Sequence, residues 1–193
     1  MILCFATQNR NKLKEVQAML PSSITLVTPE DLGCQEELPE TQPTLEGNSL
    51  QKAQFLYDHY QTDCFADDTG LEIESLQGEP GVYSARYAGP QKKAEDNMRL
   101  VLEKLKGNTA RNARFRTVIT LILNHTTYVF EGILEGTIGE FPQGEHGFGY
   151  DPIFYPKGET RTLAQFSMEE KNKISHRGLA FQKLTKFLSE KTV

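Results

Sequence analysis

The chain has 193 residues, 38% hydrophobic and 24% charged, with a formal net charge of −5. That length and balance predict one domain with a substantial core, and the acidic charge disfavours a nonspecific duplex-binding role. Three cysteines without CxxC spacing argue against a disulfide framework or a structural zinc site and suggest a reducing interior. No secretory leader pattern is present and no apolar run approaches about 18 residues, so membrane spanning is not expected and a cytoplasmic location is.

In chain order, residues 1–6 read as a buried strand running into the polar turn Thr7-Gln8-Asn9-Arg10-Asn11. A helix follows with Leu13, Val16 and Leu20 on one face. Residues 21–47 predict a short strand near residues 24–27 and then a long acidic loop. A second helix is expected from Asn48 to about Tyr60. The apolar strand 64–66 should close on Asp67-Asp68 and turn at Thr69-Gly70, with another strand over residues 71–73. Gly78-Glu79-Pro80-Gly81 is turn chemistry, and residues 91–106 carry a helical apolar stripe that Gly107 stops. Residues 113–123 and 127–138 are β-branched and aromatic and meet at Asn124-His125, which predicts a long antiparallel hairpin. A glycine-rich loop over 139–150 precedes Asp151-Pro152, and a C-terminal helix starts near Ser175. The expected class is α/β, with a mixed central sheet and that hairpin.

Five polar segments can carry chemistry. Thr7 to Lys12 enters a helix N-terminus, which suits a phosphate and equally suits a plain N-cap. Glu40 to Ser49, followed by Lys52, places acids before a helix start; a solvated acidic loop would look the same. Asp67-Asp68 supplies hard oxygen ligands for Mg²⁺, or a solvated turn. Gly147-Phe148-Gly149-Tyr150-Asp151 offers rings for stacking and a carboxylate for a polar edge, or a tight turn with core aromatics. Glu169 to Gly178 brings cations and His176 to a helix start, as part of an anion or base pocket or as a capping or surface histidine. No nucleophile elbow or Ser/Cys–His pattern is present. Water activated by a carboxylate and a metal therefore fits better than covalent catalysis.

Thr7-Gln8-Asn9 through Lys12, Ala66 to Leu71, Pro80 to Tyr87, Gly147 to Phe154 and Ser175 to Gly178 together resemble the inosine triphosphate pyrophosphatase, or Ham1-like, family. The likeness runs from residue 2 to about residue 188 in order and spacing. It implies Mg²⁺-dependent hydrolysis of ITP, dITP and XTP to the monophosphate and pyrophosphate, which clears deaminated purines from the nucleotide pool. It also implies two lobes flanking a substrate cleft within a single domain, 1–193, and a homodimer without nucleic-acid or membrane partners.

By the same resemblance, Thr7, Gln8, Asn9, Arg10, Asn11 and Lys12 would contact the triphosphate, and Asn48 with Lys52 would form a further phosphate-side pair. Glu40 and Asp68 match the magnesium-linked acids, and Asp68 also matches the proton acceptor. Thr69 stands where serine is common. Phe148, Gly149, Tyr150, Asp151, Lys171, His176 and Arg177 match nucleotide-binding positions. Gln8 departs from the pattern, since many members have glycine there. A Maf-like pyrophosphatase would share the layout but gives no reason for Gly147 to Pro152 or Ser175 to Gly178. A noncatalytic nucleotide sensor would not need a complete set of metal acids.

Overall fold

A computed structural model describes residues 1–191. Six strands, β1 (Ile2–Phe5), β2 (Thr25–Val27), β3 (Cys64–Ile73), β4 (Asn112–Leu123), β5 (Thr126–Ile138) and β6 (Phe154–Pro156), form one sheet in the order β2-β1-β3-β4-β5-β6. β1 runs parallel to both β2 and β3, whereas β5 and β6 are antiparallel, so the sheet is mixed as expected. The helices are α1 (Arg10–Met19), α2 (Leu45–Tyr60), α3 (Ala94–Lys104), α4 (Met168–Ile174) and α5 (His176–Lys191). Among the described residues no helix is long and apolar enough to cross a membrane.

The chain divides into two compact units. Among the described residues the first comprises 1–68, 117–132 and 178–191, and the second 69–116 and 133–177. In the first unit, strand alternation sends Leu3, Phe5 and Phe65 to a cluster with Val16 of α1 and Phe181 of α5. Phe5 and Phe65 stack at 4.7 Å, and both meet Phe181 edge-on. The opposite residues, Cys4, Ala6, Cys64 and Ala66, pack with Ala53 and Leu56 of α2. All three cysteines are buried and unbridged. Burial pushes the Cys4 and Cys64 thiols up to about 12, so they behave as small apolar side chains. In the second unit, Leu71, Ile73, Phe115 and Phe154 pack with Met98, Val101 and Leu105 of α3.

The hairpin forms where expected. Asn124 and His125 both have positive φ, at 48° and 63°, as a two-residue turn of type I′ requires. Two expectations need correction, and one helix has no counterpart among them. β3 does not turn at Thr69-Gly70; it is one ten-residue strand running through both aspartates. Both carboxylates find internal partners, so the backbone stays in the ladder. α2 begins at Leu45 rather than Asn48, because the Thr44 hydroxyl caps it by accepting from the Gly47 amide at 3.0 Å. Residues 168–174 form α4, started by a reciprocal capping box between Ser167 and Glu170.

Candidate functional site

The continuity of β3 decides what its acidic doublet does. Successive side chains on a strand point to opposite faces, so Asp67 follows Phe65 toward α1 and Asp68 follows Ala66 toward α2. Each meets a lysine from the helix on its own side. Lys12 Nζ of α1 lies 2.9 Å from Asp67 Oδ1, and Lys52 Nζ of α2 lies 3.4 Å from Asp68 Oδ1. The same Lys52 ammonium is 2.6 Å from Glu40 Oε1. Asn48, one turn before Lys52, donates from Nδ2 to Asp68 Oδ2 at 3.2 Å. Lys12, Glu40, Asn48, Lys52, Asp67 and Asp68, drawn from four separate stretches of sequence, thus all lie in the first unit.

Asp67 is fully buried and Asp68 is 8% exposed. Burial is the largest influence on Asp68 and lifts its pKa above the ordinary 3.8. Lys52 and Lys12 oppose that rise, while Glu40 and Asp67 reinforce it. For Lys52, burial disfavours the charge, but Asp68, Glu40 and Asp67 outweigh it and raise its pKa, so the ammonium persists. The cluster is a carboxylate of raised basicity next to a fixed cation.

The remaining residues of the first polar segment order the start of α1. Asn9 Oδ1 accepts from the amides of Asn11 (3.0 Å) and Lys12 (3.2 Å), and Thr7 Oγ1 accepts from the Asn9 amide. Gln8 is not among the positive-φ residues, so the turn does not need glycine there. Its side chain donates to the Glu36 carbonyl at 3.0 Å. Arg10 and Asn11 are exposed.

The second unit holds another cluster. Gly147 and Gly149 have φ of +75° and +64°, and a Cβ on Gly147 would run into the Asp151 carboxylate. That carboxylate accepts from the Phe148 amide at 2.9 Å and from Lys171 Nζ at 2.6 Å. Lys171 Nζ lies 4.9 Å and Arg177 Cζ 5.5 Å from the Phe148 ring centroid. Arg177 Nη2 donates to Thr69 Oγ1 at 3.2 Å, and the His176 ring stacks on Phe115 at 4.5 Å.

Two residues expected to touch the nucleotide have partners within the protein. Tyr150 is 4% exposed and its hydroxyl donates to the Ser84 carbonyl at 2.7 Å, so its ring supports the loop from the core. Asp151 is 3% exposed, and its carboxylate engages Lys171 and the Phe148 amide. The Gly81 to Tyr87 motif is part of that support. Ser84 Oγ accepts from the Leu71 amide, and Asn97 Nδ2 donates to the Ala85 carbonyl.

Nothing in the sequence singles out Ser84 or Asn97 as supports of the loop, or Phe115 as the ring stacked on His176. Their contacts are long-range, and no local signal distinguishes them from other polar or core positions. The Ser167-Met168-Glu169-Glu170 capping box does have a local signature, S-x-x-E, and that signal could have located α4.

Glu40 and Asp68 offer hard oxygen donors, and both already touch one cationic nitrogen, so they fit Mg²⁺ held by two carboxylates plus substrate phosphates. Among the described residues no set of three or more His, Cys, Asp or Glu side chains is grouped to hold a metal alone.

The Ham1 family model matches residues 3–187. The dITP/XTP pyrophosphatase of Flavobacterium johnsoniae is 52% identical over 189 residues, covering 98% of each chain. That of Porphyromonas gingivalis is 49% identical, covering 96% of each. The structure of the Staphylococcus aureus Ham1 protein matches with a TM-score of 0.91 at 38% identity, over 99% of this chain and 100% of that one. A nucleoside-triphosphatase / dITP/XTP pyrophosphatase from Mycobacterium abscessus matches with a TM-score of 0.79 at 39% identity, over 95% and 98%. Matched along nearly its whole length by sequence and by structure, the chain belongs to the Ham1 family.

Proposed function

We propose that this protein hydrolyses dITP, XTP and ITP to the monophosphate and pyrophosphate, with Mg²⁺ as cofactor. The observation that carries this reading is the convergence of Glu40 and Asp68 on the buried Lys52 ammonium. It occurs in a chain about half identical to relatives named dITP/XTP pyrophosphatases. When bound, Mg²⁺ supplies charge neutralisation at the phosphates. Asp68 takes a proton from the water that attacks the α-phosphorus. A carboxylate whose pKa has been raised by burial is a better base near neutral pH than an ordinary one. Lys12 and Lys52 hold the β and γ phosphates, which leave together. Asp67 keeps the Lys12 ammonium in place.

Residues of the second unit recognise the base in this proposal. Phe148 offers a ring face, held by the loop that Asp151 and Tyr150 fix. His176 and Arg177 donate toward O6 of a 6-oxo purine, where adenine presents an amino group instead. The homodimer belongs to the same proposal and would sediment at twice the mass of the chain.

Two results are expected. With Mg²⁺, pyrophosphate is released from dITP, XTP and ITP, while dATP and dTTP react slower by about 10²-fold or more; without Mg²⁺, release stops. Equal rates on dATP, or orthophosphate as product, would contradict the reading. The second result concerns pH. Because Asp68 must be ionised to act, and its pKa lies above 3.8, kcat/KM should fall as pH drops through that raised value. The acid limb of the profile therefore lies above the ordinary aspartate value of 3.8. An acid limb at or below pH 3.8 would remove Asp68 as the base.

A further inference from the structure

Glu40 sits in an irregular segment, yet its carboxylate is aimed at a buried lysine. What aims it lies next in sequence. The Thr41 amide donates to Gln51 Oε1 at 2.9 Å, and Gln51 Nε2 donates back to Thr41 Oγ1 at 2.9 Å. The following amide, Gln42, donates to Asn48 Oδ1 at 2.9 Å. Gln51 and Lys52 follow Asn48 on α2 at the two spacings that bring helical side chains together, so the three border one face of it. The segment lies close against the helix: a Cβ on Gly47 would stand 2.7 Å from Gln42 Cβ. The face of α2 that reaches Asp68 through Asn48 and Lys52 therefore also grips the two residues after Glu40.

We infer that Gln51 is a positioning residue for the reaction: its two-point clamp on Thr41 holds Glu40 beside Asp68 before substrate and metal arrive. The clamp is exposed enough to matter little for overall stability, since both Thr41 and Gln51 reach solvent. Its effect is local. Without it, the backbone next to Glu40 loses a fixed amide and a fixed hydroxyl, and the two acids are no longer preorganised at one point. Asn48 contacts Asp68 directly, whereas Gln51 acts on Glu40 through Thr41.

This inference rests on the proposed metal-dependent pyrophosphatase reading, and the test separates the two. Amide hydrogen exchange at Thr41 reads the clamp without turnover: protection is expected in the native protein and in Gln51→Glu, which keeps an acceptor for the amide, and is lost in Gln51→Ala. In steady-state kinetics on dITP, Gln51→Ala should raise the Mg²⁺ concentration for half-maximal rate by about tenfold. kcat at saturating Mg²⁺ should stay within about twofold, and Gln51→Glu should restore the metal requirement. Unchanged Thr41 exchange in Gln51→Ala overturns the clamp. An unchanged metal requirement, or a loss confined to kcat, overturns the positioning role. A native protein that turns over no nucleoside triphosphate defeats the functional reading and the positioning role with it, while the exchange result still decides the clamp.

Discussion

Asp68→Asn is expected to lower kcat on dITP by about 10³-fold or more while nucleotide affinity changes by about threefold or less. The substitution keeps the shape of the side chain and an oxygen that can accept from Asn48, whose Nδ2 lies 3.2 Å from Asp68 Oδ2. It removes the proposed base and one of the two acids that meet Lys52. Lys52 retains Glu40, so the cation stays paired and the fold survives. The control lies one residue earlier. Asp67→Asn acts on the other face of β3, where the carboxylate meets Lys12. It should weaken nucleotide binding more than it lowers kcat. If the two variants lose kcat equally, the division of roles between the aspartates fails.

Lys171→Met is expected to destabilise the protein by about 3–5 kcal/mol. Lys171 and Asp151 are each 4% exposed at the side chain and only 2.6 Å apart. Removing the cation leaves the Asp151 carboxylate buried without the ammonium that balances its charge. Against a native stability of about 5–15 kcal/mol, that is a large loss. Equilibrium urea unfolding measures it. Neutralising both members, in Lys171→Met with Asp151→Asn, should recover part of the loss because the buried carboxylate goes with its counter-charge. The single variant should also raise KM for dITP, since the Gly147–Asp151 loop that presents Phe148 is then no longer anchored. An unfolding midpoint unchanged in Lys171→Met would show that the pair contributes nothing to holding that loop.

These two residues illustrate what is legible in the sequence. Asp68 stands out because two acids after an apolar run are chemically conspicuous. The strand that carries it is harder to read, because Asp and Gly are ordinarily poor strand residues and mark turns. Tertiary partners reverse that local preference: Lys12 and Lys52, far away in sequence, satisfy the carboxylates and let β3 continue. The continuation is what separates the aspartates, one to α1 and one to α2. The hairpin of β4 and β5 is readable because its alternation and its Asn-His turn are both local signals.

The glycine-rich loop is recognisable as a loop, but the work of its residues is not. Tyr150 and Asp151 are conspicuous in the sequence; their burial and their partners within the protein are not. Sequence shows which groups can do chemistry. Which of them point inward depends on contacts such as Tyr150 with Ser84, 66 residues apart.

The central claim is that water attacks the α-phosphorus with Asp68 as its base. Hydrolysis of dITP in ¹⁸O-enriched water, with the products read by ³¹P NMR, tests it most directly. The label should appear in the phosphate of the monophosphate, with pyrophosphate unlabelled. Label in the pyrophosphate, or release of orthophosphate, would contradict the account.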